Sequence, residues 1–183
     1  MAKPPRVRIP RALAGRLKRV RVLLCDVDGV LTDASVFIGA DIEFKRFHIL
    51  DGLGIRLLQN EGIKVGWISN RPSPATQQRA EELRIDFLQQ QKGGSKVFAV
   101  EAILQKTRLT WKEVCYVGDD IVDLAVLKRA GLAVAVANAI VEVKALAHYV
   151  TKKPGGNGAV REVVELILRA QNKWSKLVRE HTE

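Results

Sequence analysis

The sequence predicts an α/β fold, in which a Rossmann-like parallel sheet carries helices on both faces. Two observations lead to this prediction. Short apolar runs alternate along the chain with segments of helical periodicity, which is the pattern of a parallel sheet covered by helices. The apolar runs are hydrophobic almost throughout, as is typical of strands that are buried on both faces of a sheet.

Five apolar runs are predicted as strands and six other segments as helices. The strands lie at residues 20–25, 63–68, 114–117, 132–136 and 148–150. The helices lie near residues 54–60, 74–83, 95–106, 121–129, 141–146 and 158–170. The runs are rich in residues that favour strands, whereas the segments between them have the period of a helix.

One segment interrupts this alternation. Residues 35–49, SVFIGADIEFKRFHI, have the pattern of two short strands around a turn at 39–41. We therefore expect a β-hairpin inserted directly after the first strand. The sequence shows no internal repeat, low-complexity tract or second domain.

Length and composition indicate one compact domain. The 183 residues, 47% of them hydrophobic, are enough to build a core. No run of 18 or more apolar residues is present, so we expect no transmembrane helix. A signal peptide is not visible, and Cys25 and Cys115 both lie in strand-like runs, which favours a cytoplasmic protein with reduced cysteines.

The net charge of +10 is concentrated at the N-terminus. Residues 1–21 contain eight Lys and Arg and no acid, whereas the rest of the chain carries 22 bases and 20 acids. We therefore predict a basic arm at 1–19, a domain at 20–171 and a polar C-terminal tail at 172–183. Such an arm is most simply a solvated leader, although it would also suit RNA or an acidic partner. The near-neutral domain argues against a nucleic-acid partner.

Acidic residues follow two of the predicted strands. Asp26 ends the first strand, and Asp119 and Asp120 end the third. In open α/β sheets ligands bind at the carboxyl ends of the strands, so these acids meet at one edge. Gathered carboxylates repel one another unless a cation neutralises them, and oxygen ligands of this kind suit Mg²⁺. These acids could instead only cap helices and turns, but Asp28 beside Asp26 weakens that alternative.

Four ordered motifs resemble those of the haloacid dehalogenase-like (HAD) phosphatases. They are DVDGVLTD at 26–33, WISNR at 67–71, GGSK at 93–96 and GDDIVD at 118–123. Three further stretches, DGLGI, YVGDD and GGNGAVRE, resemble a small capless branch that acts on 3-deoxy-D-manno-octulosonate 8-phosphate. The resemblance covers roughly residues 20–171 and implies the HAD fold, with a hairpin in place of a cap domain.

The resemblance also implies a role for each motif residue. Asp26 is the expected nucleophile, which forms an aspartyl-phosphate, and Asp28 is the expected general acid and base. Asp26 and Asp119 would hold Mg²⁺ through their carboxylates, and Asp28 through its backbone carbonyl. Ser69 would hydrogen-bond a phosphoryl oxygen, and Lys96 would neutralise charge on the nucleophile and the phosphate.

Further residues are expected around this set. The substrate is expected to contact Asp28, Ser69, Asn70, Arg71 and Lys96. Asn70 stands where the family has a glycine, so Arg71 either faces the substrate or is structural. Asp120 and Asp123 would steady the metal ligands from outside.

Three segments leave alternatives open. Asp51 either caps the next helix or shapes the pocket. Arg161, after the glycines of 152–158, either meets an anionic group or only begins a helix. The hairpin at 35–49 is too small to close the site alone. In the resembling branch four subunits join their hairpins and roof one another's sites, so the resemblance implies a homotetramer.

The leading hypothesis is a Mg²⁺-dependent phosphomonoesterase for a small sugar-acid phosphate. The resemblance implies 3-deoxy-D-manno-octulosonate 8-phosphate, a lipopolysaccharide precursor. The alternatives are a phosphatase for 2-keto-3-deoxynononate 9-phosphate and a related protein of the acylneuraminate pathway. Two functions from other classes also remain, a nucleic-acid end phosphatase anchored by the arm and a non-catalytic assembly domain.

Overall fold

The structure is a computed structural model that describes residues 11–182. Its centre is a six-stranded parallel sheet in the order β5-β4-β1-β6-β7-β8. The strands are β1 (Val22–Cys25), β4 (Lys64–Ser69), β5 (Phe87–Gln90), β6 (Val114–Gly118), β7 (Leu132–Ala135) and β8 (Tyr149–Val150). The predicted α/β fold is confirmed.

Eight helices surround the sheet within the described residues. They are α1 (Arg11–Arg19), α2 (Ile49–Asn60), α3 (Pro74–Glu82), α4 (Lys96–Thr107), α5 (Leu124–Leu127), α6 (Val141–Leu146), α7 (Ala159–Ala170) and α8 (Trp174–Glu180). Helices α1, α2 and α8 each contact α7, whereas α4 and α6 each contact α5. The helices therefore form two packed groups, as a layer on each face of the sheet requires. Within residues 11–182, no helix combines the length and apolar character that crossing a membrane requires.

Strand β1 lies in the middle of the sheet and is buried along its whole length. It pairs with β4 on one side, where Cys25 lies opposite Trp67, and with β6 on the other, where Cys25 lies opposite Val117. Because both neighbours are also buried, the carboxyl end of β1 is held from both sides by the core. This is the point at which Asp26 leaves the sheet.

Two helices lie in the segments that charge and polarity set apart as arm and tail. The second half of the basic arm is helix α1, and its Leu13 and Leu17, one turn apart, are buried. The C-terminal tail contains α8, where Leu177 is buried and Trp174 lies under the guanidinium groups of Arg161 and Arg169. Residues 1–10 lie outside the described residues.

Strand β5 is also additional to the predicted elements. It is an edge strand that is only half-buried. Such a position tolerates polar residues, and its sequence FLQQ has two apolar residues followed by two polar ones. The helix predicted at 121–129 is shorter in the structure and begins with a 3-10 turn, Ile121–Asp123, before α5.

The predicted hairpin is present, with two-residue strands β2 (Phe37–Ile38) and β3 (Glu43–Phe44). Its turn is closed by the N–H of Gly39, which donates to the carbonyl of Ile42 at 2.8 Å. The outer face is apolar and open to solvent, with Phe37 61% and Ile38 80% exposed. Since a two-stranded hairpin is marginally stable alone, contacts to the rest of the domain must hold it.

Candidate active site

The loop that follows β1 carries the predicted nucleophile. The N–H of Asp26 donates to the carbonyl of Val117 at 3.0 Å, so pairing with β6 continues up to this residue. The chain then turns at Gly29, whose φ is +94° and where a Cβ would overlap the carboxylate of Asp119. The loops after β1 and β6 therefore approach so closely that this position requires glycine.

Lys96 joins two of the acids. It lies in the first turn of α4, is buried, and places its Nζ 2.8 Å from Oδ1 of Asp26 and 2.8 Å from Oδ1 of Asp123. The side chain of Ser95 caps the helix by accepting from the N–H of Val97. Lys96 is thus an interior residue between two carboxylates rather than a surface lysine.

Asp123 is fully buried and its oxygens already accept four hydrogen bonds. Oδ1 accepts from Lys96 and from the hydroxyl of Tyr116 at 2.7 Å, and Oδ2 accepts from the N–H groups of Asp119 and Asp120. With this many donors its carboxylate is fixed and holds the others in place. This arrangement fits the outer, steadying position predicted for Asp123.

Burial and mutual repulsion act on the acids of this edge. Burial, with the charge of Asp123, raises the pKa of Asp26 to about 6, although Lys96 opposes the change. Burial, with the charges of Asp26 and Asp123, raises the pKa of Asp119 to about 8. The cluster therefore carries more negative charge than its one lysine neutralises.

These residues fit a divalent cation. One oxygen from each of Asp26, Asp119 and Asp123 can be chosen so that all lie within 4.8 Å of one another. Oδ1 of Asp119 is buried and has no hydrogen-bond partner among the described residues. A buried carboxylate oxygen in an acidic cluster is a suitable ligand for Mg²⁺, which takes oxygen donors and few protein carboxylates. Since Asp123 is saturated with donors, Asp26 and Asp119 are the carboxylates free to bind.

The loop after β4 carries the second motif. The hydroxyl of Ser69 accepts from the N–H of Arg71 at 3.0 Å and donates to its carbonyl at 3.1 Å. The amide of Asn70 donates to the carbonyl of Gly94, and the Arg71 guanidinium pairs with Glu43 of β3. Asn70 is therefore accommodated in the loop, and Arg71 is held by the hairpin.

Asp28 lies beside the hairpin. Its carboxylate pairs with Lys45, whose Nζ is 2.7 Å from Oδ1 and 3.0 Å from Oδ2. Glu43 reaches the other motif loop, where it accepts from Arg71 and from the hydroxyl of Ser73. The hairpin thus contacts the loops after both β1 and β4.

One open cleft of about 330 Å³ brings the predicted residues together. It is lined by Asp26, Asp28, Ala34, Ser69, Asn70, Arg71, Lys96, Asp119, Asp120 and Val122. All residues predicted to act in catalysis, substrate binding or metal binding are among them, whereas Asp123, predicted to steady the metal ligands from outside, does not line the cleft; the role of each stays a prediction. Asp120 is exposed and caps the 3-10 turn by accepting from Ile121 at 2.7 Å.

The glycine-rich segment before α7 packs against the nucleophile loop. A Cβ at Gly155 would overlap the carbonyl oxygen of Gly29, and the N–H of Gly156 donates to the carbonyl of Val30 at 2.9 Å. These glycines therefore serve close backbone approach. Arg161 pairs with Glu165 at 2.9 Å.

Asp51 caps a helix, but not the next one as one of its two alternatives predicts: it lies inside α2 and caps α7. Its carboxylate accepts from the N–H groups of Gly158 at 3.2 Å and Arg161 at 2.6 Å. The side chain comes from the first turn of α2, so this cap joins two helices that are distant in sequence.

Three contributors to the site were not predicted from the sequence. Tyr116 is a buried strand residue whose hydroxyl fixes Asp123, and its position two residues before Gly118 is the only local signal. Glu43 and Lys45 lie in the hairpin, where alternation predicts that they share a face but not what that face meets.

Comparison with known proteins agrees with this geometry. A family model described as haloacid dehalogenase-like hydrolase matches residues 90–163. The 3-deoxy-D-manno-octulosonate 8-phosphate phosphatase KdsC of Yersinia pestis is 42% identical over 159 residues, 86% of this chain and 84% of the relative. The same enzyme of Escherichia coli K12 is 40% identical over the same shares.

A solved structure is similar over nearly the whole chain. It is the 3-deoxy-D-manno-octulosonate 8-phosphate phosphatase from Moraxella catarrhalis, in complex with a magnesium ion, a phosphate ion and a KDO molecule. The TM-score is 0.89 at 35% identity, covering 92% of this chain and 97% of the other. The chain therefore belongs to the haloacid dehalogenase-like hydrolases, in the family of the 3-deoxy-D-manno-octulosonate 8-phosphate phosphatases.

Proposed function

We propose that this enzyme hydrolyses 3-deoxy-D-manno-octulosonate 8-phosphate to KDO and phosphate with Mg²⁺ as cofactor. The observation that carries the proposal is the cleft at the carboxyl edge of the sheet, where Asp26, Lys96 and Asp119 meet beside Asp28. The similar enzyme that holds magnesium, phosphate and KDO supports the same ligands here.

The first step breaks the phosphate ester. A carboxylate oxygen of Asp26 attacks phosphorus, the bond from phosphorus to the sugar oxygen breaks, and Asp28 gives its proton to that oxygen. Lys96, 2.8 Å from Asp26, holds the nucleophile and offsets the charge of the phosphoryl group. Asp26, Asp119 and the carbonyl of Asp28 would hold Mg²⁺, which would supply positive charge for the phosphoryl oxygens.

The second step releases phosphate. Asp28, now a carboxylate, takes a proton from water, and the water oxygen attacks the phosphorus of the aspartyl-phosphate. The bond from phosphorus to Asp26 breaks, which restores the carboxylate. Ser69 would turn its hydroxyl from the Arg71 carbonyl to a phosphoryl oxygen, and Arg71 would face the sugar acid if it left Glu43.

The proposal includes a homotetramer in which neighbouring hairpins cover the clefts. The support is an apolar surface on the hairpin and the start of α2, formed by Phe37, Ile38, Ile42, Phe44, Ile49, Leu50 and Leu53, all exposed. A concentration of exposed apolar side chains in two adjoining segments is typical of an interface. We also propose a cytoplasmic location, supported by Cys25 and Cys115, which are buried and free.

A panel of phosphate esters assayed with Mg²⁺ tests the activity and the substrate together. The panel contains 3-deoxy-D-manno-octulosonate 8-phosphate, 2-keto-3-deoxynononate 9-phosphate, simple sugar phosphates and a 5′-phosphorylated oligonucleotide. We expect the highest kcat/KM on the first compound, loss of activity with EDTA and recovery with Mg²⁺. Higher kcat/KM on another panel member, or full activity after exhaustive chelation, would contradict the proposal.

A further inference from the structure

The hairpin carries one buried charge that none of the assigned roles uses. The side chain of Lys45 is 0% exposed, and its Nζ contacts both carboxylate oxygens of Asp28. The same Nζ donates to Oγ1 of Thr76 at 3.2 Å. Two of the three ammonium hydrogens therefore have acceptors, Oδ2 of Asp28 and Oγ1 of Thr76, whereas Oδ1 of Asp28 lies 2.7 Å from Nζ but accepts no hydrogen bond within the described residues.

We propose that Lys45 is a positioning residue that holds Asp28 at the angle needed to protonate the leaving sugar oxygen. This inference rests on the proposed phosphatase function. Lys45 does not line the cleft, whereas Asp28 does, so the lysine acts through the carboxylate. The established motifs account for Asp28 but give no residue that fixes its side chain.

The surroundings of Lys45 make it a fixed anchor. Glu43, Lys45 and Phe47 alternate along one face of the strand and its extension, whereas Phe44 and Arg46 are exposed. Glu43 is bonded to Arg71 and Ser73 on one side of the lysine. Phe47 stacks on Trp67 on the other side, with ring centroids 6.0 Å apart. Because both flanking residues are held, the ammonium cannot follow Asp28 if that side chain turns.

The acceptor on the far side of the ammonium is also fixed. Thr76 is fully buried in α3, and its N–H donates to the Ser73 hydroxyl that caps this helix. Asp28, by contrast, has a side chain 23% exposed to solvent. Without the lysine, therefore, the Asp28 carboxylate would be free to turn toward water.

Misplacing Asp28 slows the first step only for substrates whose leaving group needs its proton, whereas the second step, in which Asp28 takes a proton from water, is the same for every substrate. The value of kcat/KM depends only on the steps up to departure of the leaving group, so it reports the first step alone. The alkoxide of a sugar is a poor leaving group, so its departure depends on Asp28. The p-nitrophenolate ion leaves readily without a proton. A loss of Asp28 positioning therefore separates these two classes of substrate, whereas a general loss of the fold lowers both equally.

The test compares Lys45→Met with Lys64→Met on the sugar-acid phosphate and on p-nitrophenyl phosphate. Lys64 is a matched control, because it forms a Lys–Asp pair of the same length, 2.7 Å to Asp86, at the other end of the sheet. We expect Lys45→Met to lower kcat/KM on the sugar-acid phosphate about 10- to 100-fold, as for other misplaced catalytic groups. On p-nitrophenyl phosphate kcat/KM should fall less than about threefold, and Lys64→Met should leave both values within about twofold.

Circular dichroism checks that each variant is folded. Lys45→Gln, which keeps one donor without the charge, is the second variant and should show the same split between substrates. Equal losses on both substrates, or no loss on either, would overturn the positioning role. Wild-type enzyme that is inactive on every ester would instead refute the proposed function, and the positioning role with it.

Discussion

The two ends of the cleft are built differently. The end that holds Asp26, Asp119 and Asp123 is formed by the central strands and by Lys96, all at or inside the core. The end that holds Asp28 depends on Lys45 of the hairpin. The first end is fixed by the packing that stabilises the whole domain, whereas the second depends on a segment with no core of its own.

In the proposed mechanism the two ends act on different parts of the substrate. The core end would bind the phosphoryl group, which is common to all phosphate esters. The hairpin end would act on the leaving group, which differs from one substrate to the next, and Glu43 of the hairpin also holds Arg71. Substitutions at the core end should therefore abolish turnover generally, and substitutions at the hairpin end should change substrate preference.

Asp26→Asn should have the largest effect, a loss of kcat greater than about 1,000-fold on every substrate, since an amide is a poor nucleophile. The fold should remain, because burial already raises the pKa of Asp26 to about 6 and an uncharged side chain relieves repulsion with Asp123. Steady-state assays and thermal melting measure both quantities. Near-normal phosphate release from a folded variant would refute the nucleophile assignment.

Lys96→Met should lower both activity and stability. It leaves Asp26 and Asp123 buried without their cation, and breaking a buried ion pair costs about 3–5 kcal/mol. We expect kcat to fall about 100-fold or more on all substrates, as for loss of an electrostatic catalytic group. Denaturant unfolding measures the stability. Lys92→Met, an exposed neighbour, is the control and should change neither quantity.

Ile38→Glu should change assembly and selectivity while leaving the monomer folded. Ile38 is 80% exposed, so a charge there costs nothing in one chain but disrupts an apolar interface. Light scattering should report smaller assemblies, and kcat/KM for the sugar-acid phosphate should fall about tenfold, equivalent to about 1.4 kcal/mol. Val178→Glu, an exposed apolar residue of α8, serves as control. A wild-type monomer with sharp selectivity would contradict the tetramer.

Two substitutions that each remove or weaken one polar contact should have the smallest effects, and they compare the two ends of the cleft directly. Tyr116→Phe deletes a buried hydrogen bond to Asp123 and should lower the free energy of unfolding by about 2 kcal/mol. Glu43→Gln weakens a solvent-screened pair and should cost less than about 1 kcal/mol. Denaturant titrations of both variants measure the difference, and equal costs would contradict the contrast between the two ends.

The Glu43 contribution should also depend on pH. Hydrogen bonds from Arg71 and Ser73 lower the pKa of Glu43 to about 2 from its ordinary 4.5. A lowered pKa stabilises the folded state fully above pH 4.5, and this contribution is lost as the pH falls toward 2. The free energies of unfolding of wild type and Glu43→Gln, measured between pH 6 and pH 2.5, should therefore become more similar as the pH falls.

The sequence was most informative where a motif follows a central strand. Asp26 and Asp119 could be placed together because parallel strands end at one edge, and that inference needs only the order of the elements. Lys45 could not be placed, since its direction depends on how the hairpin packs on α3. Helix α1 was not predicted because its basic residues are typical of a solvated arm, although Leu13 and Leu17 have helical spacing. Edge strand β5 was not predicted because half of its residues are polar.

The contact between the glycine segment and the nucleophile loop affects how the protein is made. The carbonyl of Val30 accepts from Gly156, and the carbonyl of Gly29 accepts from Asn138, more than a hundred residues later. Asn138 in turn accepts from the N–H of Gly155 at 2.7 Å. During translation Asp26 is synthesised early, yet the loop around it lacks these hydrogen-bond donors until residue 156 has emerged from the ribosome. A nascent chain therefore carries Asp26, the predicted nucleophile, long before the loop around it has the hydrogen-bond donors of the folded protein.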